Sequence, residues 1–391
     1  MKTRVLLLHN ILWSHYKAVV FSELHAILKK TDFELFILQK AVTERQRKGL
    51  GDLDLSSHQY PYKLLFTTSM EEIPLHKSMI AIWKELSRRE FDVIAIPGYA
   101  YVMCWCALIY ACLKGKKIIV MFDSTEMDHR HVWYKELLKK FFISRSHAAF
   151  CYGTKSKEYL VKLGMRPEDI FTRCQATNNG RIREIHQQAV ADRGLLAMEY
   201  AVRKYNFIYV GRLSGEKNIG CLLSAFARVK EENTHAADWG LLIVGAGPEL
   251  PSLQQFVSDR QVPDVCFVGG QSWDTVPRFY ALSSVFVLPS LSEPWGLVVN
   301  EAMVCGLPVI VSMKCGAAYD IVHEGENGFT FDPLDSDALA RHLVYFLDNP
   351  GELERMGENS RRIIASYTPQ HAAEQMLNGL EAITTGRCRH A

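Results

Sequence analysis

The chain has 391 residues, of which 48% are apolar and 23% charged. That excludes a disordered polypeptide and allows two ordinary domains, each with its own core. The net charge of +2 conceals +10 over residues 1–185 and −8 over the rest, which points either to an anionic partner of the first half or to scatter without function. The ten cysteines include no CxxC pair, which argues against a zinc site or disulfide framework and for a reduced, cytoplasmic chain.

The opening MKTRVLLLHN has too few apolar residues for a signal-peptide core and reads as a first strand. RVLLLH, ELFILQ, DVIAIP, KIIVMF and AAFCYG are the strands expected in the first half. AVVFSELHAILKK, IPLHKSMIAIWKELSRR and VWYKELLKKFFISRS are helical stretches between them. Val93 to Leu113 is uncharged for a span that could cross a bilayer, but Pro97-Gly98 divides it into a strand and a covering helix. Residues 186–204 read as a linker with helical character. A second series follows: NFIYVGR, WGLLIVGAG, VCFVGG, SVFVLPS, LPVIVS and GFTFDP, again alternating with helices. The fold class is therefore α/β, with two doubly wound parallel-sheet domains over residues 1–185 and 205–368 and a ligand cleft at the carboxyl ends of their strands.

Three phrases of the second half carry chemistry. In NFIYVGRLSGEKNIG, a strand ends at Val210 and a helix opens near Asn218. Arg212 and Lys217 thus sit at the sheet edge beside a helix N-terminus, either as a site for a diphosphate or as a solvated basic loop. GLLIVGAGPEL offers Gly245 and Gly247 but lacks the third glycine of a dinucleotide fingerprint, so a tight turn against neighbouring backbone is expected. In SEPWGLVVNEAMVCG, Glu293 precedes a helix start and Glu301 lies about two turns into it, with free amides at Gly296, Leu297 and Val298. If most of the intervening residues are helical, eight steps separate the carboxylates by at least about 12 Å. That exceeds the roughly 5–9.5 Å of a hydrolytic pair. The spacing suits an extended ligand with an anionic middle, such as a nucleotide sugar.

GRLSGEKN followed by EPWGLVVNE and GLPVIVSMKCGAAYDIVHEGENGFTFDP resembles the retaining glycosyltransferases of family 4, over roughly residues 205–370. The resemblance implies the GT-B fold, two Rossmann-like domains, with the C-terminal helix (about 369–391) completing the first. It also implies transfer of a hexose from a nucleoside diphosphate sugar to a hydroxyl of a glycan, lipid-linked or small-molecule acceptor. Arg212 and Lys217 would bind the donor phosphates, Glu301 the ribose, and Glu293 the transferred sugar. Gly296, Leu297 and Val298 would meet the distal phosphate or sugar, and Gly269 and Gln271 the base. Arg212, Lys217 and Glu293 are the residues expected to carry the chemistry.

No cofactor or metal is expected, because no DxD-like pair stands at a strand end and the two cations can replace one. No nucleic acid is expected as a partner. On the acceptor side, Asp123, His129 and His131 are candidates for sugar or acceptor contacts, although Asp123 with Ser124 and Thr125 also reads as a helix entry. Lys139-Lys140-Phe141-Phe142, placed on one helix face, suggests peripheral contact with an anionic membrane. A nucleotide-sugar epimerase of the same fold and a non-catalytic sugar-nucleotide binder are the competing readings.

Overall fold

The computed structural model describes residues 2–45, 53–128 and 132–388. Thirteen strands occur among them. In the first half they are β1 (Thr3–Ile11), β2 (Phe33–Ala41), β3 (Tyr62–Leu64), β4 (Val93–Ile96), β5 (Lys117–Phe122), β6 (Ala148–Tyr152) and β7 (Ile170–Arg173). In the second half they are β8 (Tyr205–Val210), β9 (Trp239–Val244), β10 (Val265–Gly269), β11 (Val285–Leu288), β12 (Val309–Ser312) and β13 (Gly328–Phe331). They form two sheets, ordered β3-β2-β1-β4-β5-β6-β7 and β10-β9-β8-β11-β12-β13, in which every pairing is parallel.

Parallel strands need crossovers, and the connecting helices cover both faces, so the central strands are buried throughout. Val93–Ile96, Ala148–Tyr152 and Val285–Leu288 contain no exposed position. Strand order reverses between β1 and β4 in one sheet and between β8 and β11 in the other. Such switch points are where doubly wound sheets open a crevice at their carboxyl edge.

The chain divides into two compact units. Among the described residues, one holds those up to Ala176 together with the segment from Thr368 on, and the other holds Thr177–Tyr367. The division falls before residue 185 because helix Asn179–Ala191 packs on helices Val276–Ala281 and Leu297–Val304 of the second unit. The stretch read as a linker contains the end of that helix and a further one, Arg193–Glu199. Helix Pro369–Thr384 lies on the first unit. There Gln375 Oε1 accepts from the Cys174 amide (2.7 Å), and Lys117 Nζ donates to the Ile383 carbonyl (2.7 Å).

The uncharged stretch from Val93 resolves into β4 and helix Val102–Leu113. No helix among the described residues is long and apolar enough to cross a membrane. One expectation on helix Trp133–Ser144 is corrected. Lys139 and Phe142 do not share the exposed face with Lys140 and Phe141, because successive helical residues point about 100° apart. Phe142 is in the core, and the buried Lys139 ammonium donates to Glu136 and to the Tyr159 hydroxyl, each at 2.7 Å.

Candidate functional site

In the second unit, the loops after β8, β9 and β10 are stitched together by backbone hydrogen bonds. Gly211 N donates to Val244 O, Leu213 N to Ala246 O, Glu249 N to Leu213 O, and Gly245 N to Gly269 O, all at 2.8–3.0 Å. Gly247 permits this approach, since a Cβ there would stand 2.2 Å from the Leu213 carbonyl oxygen. The glycine pair therefore shapes the loop that carries Arg212 and Lys217. Gly269 ends β10 and Gln271 follows it, placing both at the carboxyl edge two strands from β8.

Across the switch point, β11 feeds the loop with Glu293 and then helix Leu297–Val304. Backbone bonds to the 314–317 turn hold that loop. Glu293 N donates to Lys314 O (3.0 Å), Gly316 N to Glu293 O (2.9 Å), and Ala317 N to Trp295 O (3.0 Å). The Trp295 ring is buried and donates from Nε1 to Asn300 Oδ1 at 2.8 Å. Gly296 caps the helix at φ +88°, where an added Cβ would stand 2.8 Å from Cys315 Sγ. The amides of Gly296, Leu297 and Val298 thus form a fixed helix N-terminus, a favourable end for an anion.

Lys217 Nζ pairs with Glu293 across this gap, and both side chains are largely buried. The pair joins the β8 loop to the β11 loop, so two residues 76 positions apart meet at the switch point. Arg212 sits on the same loop as Lys217, and its Nη2 donates to Glu216 Oε1 at 2.9 Å. Burial opposes charge on Glu216, but the Ser214 hydroxyl, its own loop's amides and the two nearby cations hold its carboxyl below the usual range. That arrangement ties Arg212 to the turn Gly215–Lys217, which precedes helix Ile219–Glu232, while leaving it half exposed.

Glu301 stands apart from this ion pair. It is the fifth residue of its helix, one turn in rather than two, because residues 293–296 are loop, so the 12 Å separation argued from eight helical steps does not apply. Tyr280 donates to Glu301 Oε2 at 3.4 Å, and burial pushes the Glu301 carboxyl up to about 7. A carboxyl held near neutrality at a helix flank is a feature that residue spacing did not disclose.

In the first unit, Asp123 follows β5 and is exposed, and its carboxylate makes no hydrogen bond among the described residues. The neighbouring turn is capped by others: Thr125 Oγ1 accepts from Met127 N at 3.3 Å, and Asp128 Oδ2 from Thr125 N. Asp123 instead lines a cavity with His9, Lys17, Tyr152 and Arg173. His129 and His131 lie outside the described residues. No group of three or more metal-ligating side chains stands together among the described residues.

Anabaena HepE, solved in complex with UDP and glucose, superposes with a TM-score of 0.74 over 97% of this chain and 100% of that one, at 16% identity. The architecture of two doubly wound units is therefore the GT-B fold. Residues 200–363, which lie within the second unit, match the model of glycosyl transferases group 1. N-acetyl-alpha-D-glucosaminyl L-malate synthase of Bacillus anthracis is 26% identical over 246 residues, 57% of this chain and 61% of that protein. Alpha-D-kanosaminyltransferase of Streptomyces kanamyceticus is 29% identical over 174 residues, 44% of each chain. The match thus spans less than two thirds of either relative.

Proposed function

We propose that the protein is a retaining glycosyltransferase that moves a hexose from a nucleoside diphosphate sugar to an acceptor hydroxyl. The observation that carries this reading is the Lys217–Glu293 pair bridging the β8/β11 switch point beside the helix N-terminus at Gly296. The family match within the second unit and the sugar-transferring relatives support it.

The donor diphosphate lies against Arg212, Lys217 and the amides of Gly296, Leu297 and Val298. Glu301 accepts from the ribose hydroxyls, and Gly269 and Gln271 border the base. Glu293, held by Lys217, faces the hydroxyls of the transferred sugar. As the bond from the anomeric carbon to the leaving phosphate breaks, its electron pair passes to the phosphate oxygen. The acceptor oxygen bonds to the same face of the anomeric carbon, and its proton goes to that phosphate. The fixed cations and the helix N-terminus stabilise the charge developing on the diphosphate. These cations take the part of a divalent metal, so chelation with EDTA leaves turnover unchanged.

The acceptor is a glycan, a lipid-linked sugar or a small molecule. The enzyme meets an anionic membrane through helix Trp133–Ser144, whose Trp133, Tyr134, Leu137, Leu138 and Phe141 are exposed beside Lys135, Lys140 and Arg145. Nucleotide release from a panel of UDP-, GDP- and ADP-sugars, with and without acceptors, tests the reading, and NMR of the product reports the anomeric configuration. Acceptor-independent conversion of the sugar nucleotide to its epimer would refute it. Pelleting with anionic but not neutral liposomes tests the membrane part.

A further inference from the structure

The cavity that Asp123 borders has a volume of 320 Å³ and opens at the carboxyl edge of the first sheet, around its β1/β4 switch point. Two cations face it. Arg173, at the end of β7, is only 2% exposed, yet its Nε has no hydrogen-bond partner and its Nη1 reaches nothing stronger than Met376 Sδ at 3.9 Å. Lys17 donates to the Tyr152 hydroxyl. The Lys17 ammonium lies 4.3 Å and the Arg173 guanidinium 4.2 Å from the centroid of the same Tyr152 ring. Among the described residues no carboxylate reaches ion-pair distance of either cation. Asp123 is exposed and Glu44 is half-buried, and both line the cavity without pairing with Lys17 or Arg173.

A buried guanidinium without a counter-charge is costly unless something else supplies one. Burial and the charge of Arg173 hold the Lys17 ammonium well below its usual pKa, against a smaller opposing pull from Asp123. Burial and Lys17 push His9 down to about 3, so its ring is neutral and adds no further positive charge. Asn10 also lines the cavity, and its buried Oδ1 accepts from no donor. The two cations thus lack a direct ion-pair contact and the Asn10 oxygen lacks a donor, although the Asp123 carboxylate on the rim acts on Lys17 from a distance.

We propose that this cavity binds the oxyanion of a small hydroxyl-bearing acceptor, a carboxylate or a phosphate, between Lys17 and Arg173, with Asn10 accepting from a hydroxyl beside it. The volume is at the low end of the range for ligand pockets, roughly 300–1,000 Å³, and suits a compact molecule rather than an oligosaccharide. The role as acceptor rests on the transferase reading, whereas the binding of an oxyanion does not.

Calorimetric titration of the whole protein with glycerol 3-phosphate, glycerate and glycerol, at fixed ionic strength, tests the cavity. Both anions are expected to bind at least tenfold more tightly than glycerol, and the tighter of the two identifies the head group. Lys17→Gln and Arg173→Gln should each weaken the anion tenfold or more. Asp123→Asn, which removes a negative charge from the rim, should strengthen it severalfold, an effect that a purely structural role would not produce. Titration of Lys17→Gln and Arg173→Gln with a nucleotide sugar should match wild type and confirms that they are folded; the thermal melt of Asp123→Asn does the same for that variant. Equal affinity for glycerol and the anions, no binding of either anion, or a folded Lys17→Gln variant with wild-type affinity would overturn the proposal. Anion binding that persists in a protein inert toward every nucleotide sugar would retain the cavity and refute the transferase reading.

Discussion

Replacing Glu301 by glutamine separates two effects that the folded site ties together. Burial pushes the carboxyl up to about 7, so it is largely protonated at pH 6 and largely ionised at pH 8. A nucleotide sugar holds a doubly esterified diphosphate whose charge is constant over that range. If the ribose hydroxyls require a carboxylate acceptor, affinity follows the ionised fraction and rises nearly tenfold, from about one tenth to about nine tenths ionised. Near pH 7 binding should release about half a proton. Glu301→Gln loses hydrogen bonds to a charged group, worth about 1.5–3 kcal/mol, so it should bind the donor some 10- to 100-fold more weakly at pH 8 and show little pH dependence.

Stability runs the other way. The folded carboxyl keeps a proton that the unfolded one releases above its ordinary value of 4.5. This contribution is complete below 4.5 and is lost as pH rises through about 7, amounting to at most about 3 kcal/mol. The glutamine variant should therefore melt with wild type near pH 4.5 and above it at pH 8. Calorimetry in two buffers of different protonation enthalpy, together with thermal melts, measures both effects. A wild-type affinity that is flat from pH 6 to 8, or a glutamine variant that binds like wild type at pH 8, refutes the reasoning.

Other substitutions probe the rest of the site. Arg212→Ala should lower turnover about 100-fold or more by removing one stabilising cation, with little change in melting because the side chain is half exposed; steady-state nucleotide release reads it. Lys217→Ala strands the largely buried Glu293 carboxylate and should cost about 3 kcal/mol in denaturant unfolding, whereas adding Glu293→Gln should recover most of the stability and none of the activity. Gly247→Ala places a methyl carbon against the Leu213 backbone and should destabilise by about 1–3 kcal/mol. Gly220→Ala, on an open face of helix Ile219–Glu232, should stabilise by up to about 1 kcal/mol in the same assay.

Much of this architecture can be read from residue pattern, because buried parallel strands spell uninterrupted apolar runs. β9, β11 and β12 of the second sheet stand out in this way, whereas β8 carries Asn206, β10 is half-buried and β13 is broken by Thr330. β3 and β7 do not stand out: one is a three-residue edge strand, and the other, Ile170–Arg173, ends in an arginine whose burial no local pattern announces. The loops of Arg212, Lys217 and Glu293 are legible because each follows a strand and precedes a helix, so the topology forces them to the sheet edge. Their pairing is not, since it depends on strand order, which places β11 beside β8. The boundary at residue 176 was hidden for a related reason. Helix Asn179–Ala191 has ordinary amphipathic text, and only packing shows that it covers helices Val276–Ala281 and Leu297–Val304. The Lys17–Tyr152–Arg173 cluster joins a helix to two paired strand ends and has no signature in any one of these stretches.

The hydrogen bond from Asn179 Nδ2 to the Tyr367 carbonyl (3.0 Å) fastens together the entrance and exit of the second unit. The stretch from Thr177 to Tyr367 is thus an insertion whose two ends touch, while its host is assembled from separate stretches of polypeptide. On the ribosome the inserted body can mature as soon as Tyr367 emerges, whereas the surrounding one must wait for helix Pro369–Thr384, so a chain stalled shortly before that helix would carry one finished half and one left open.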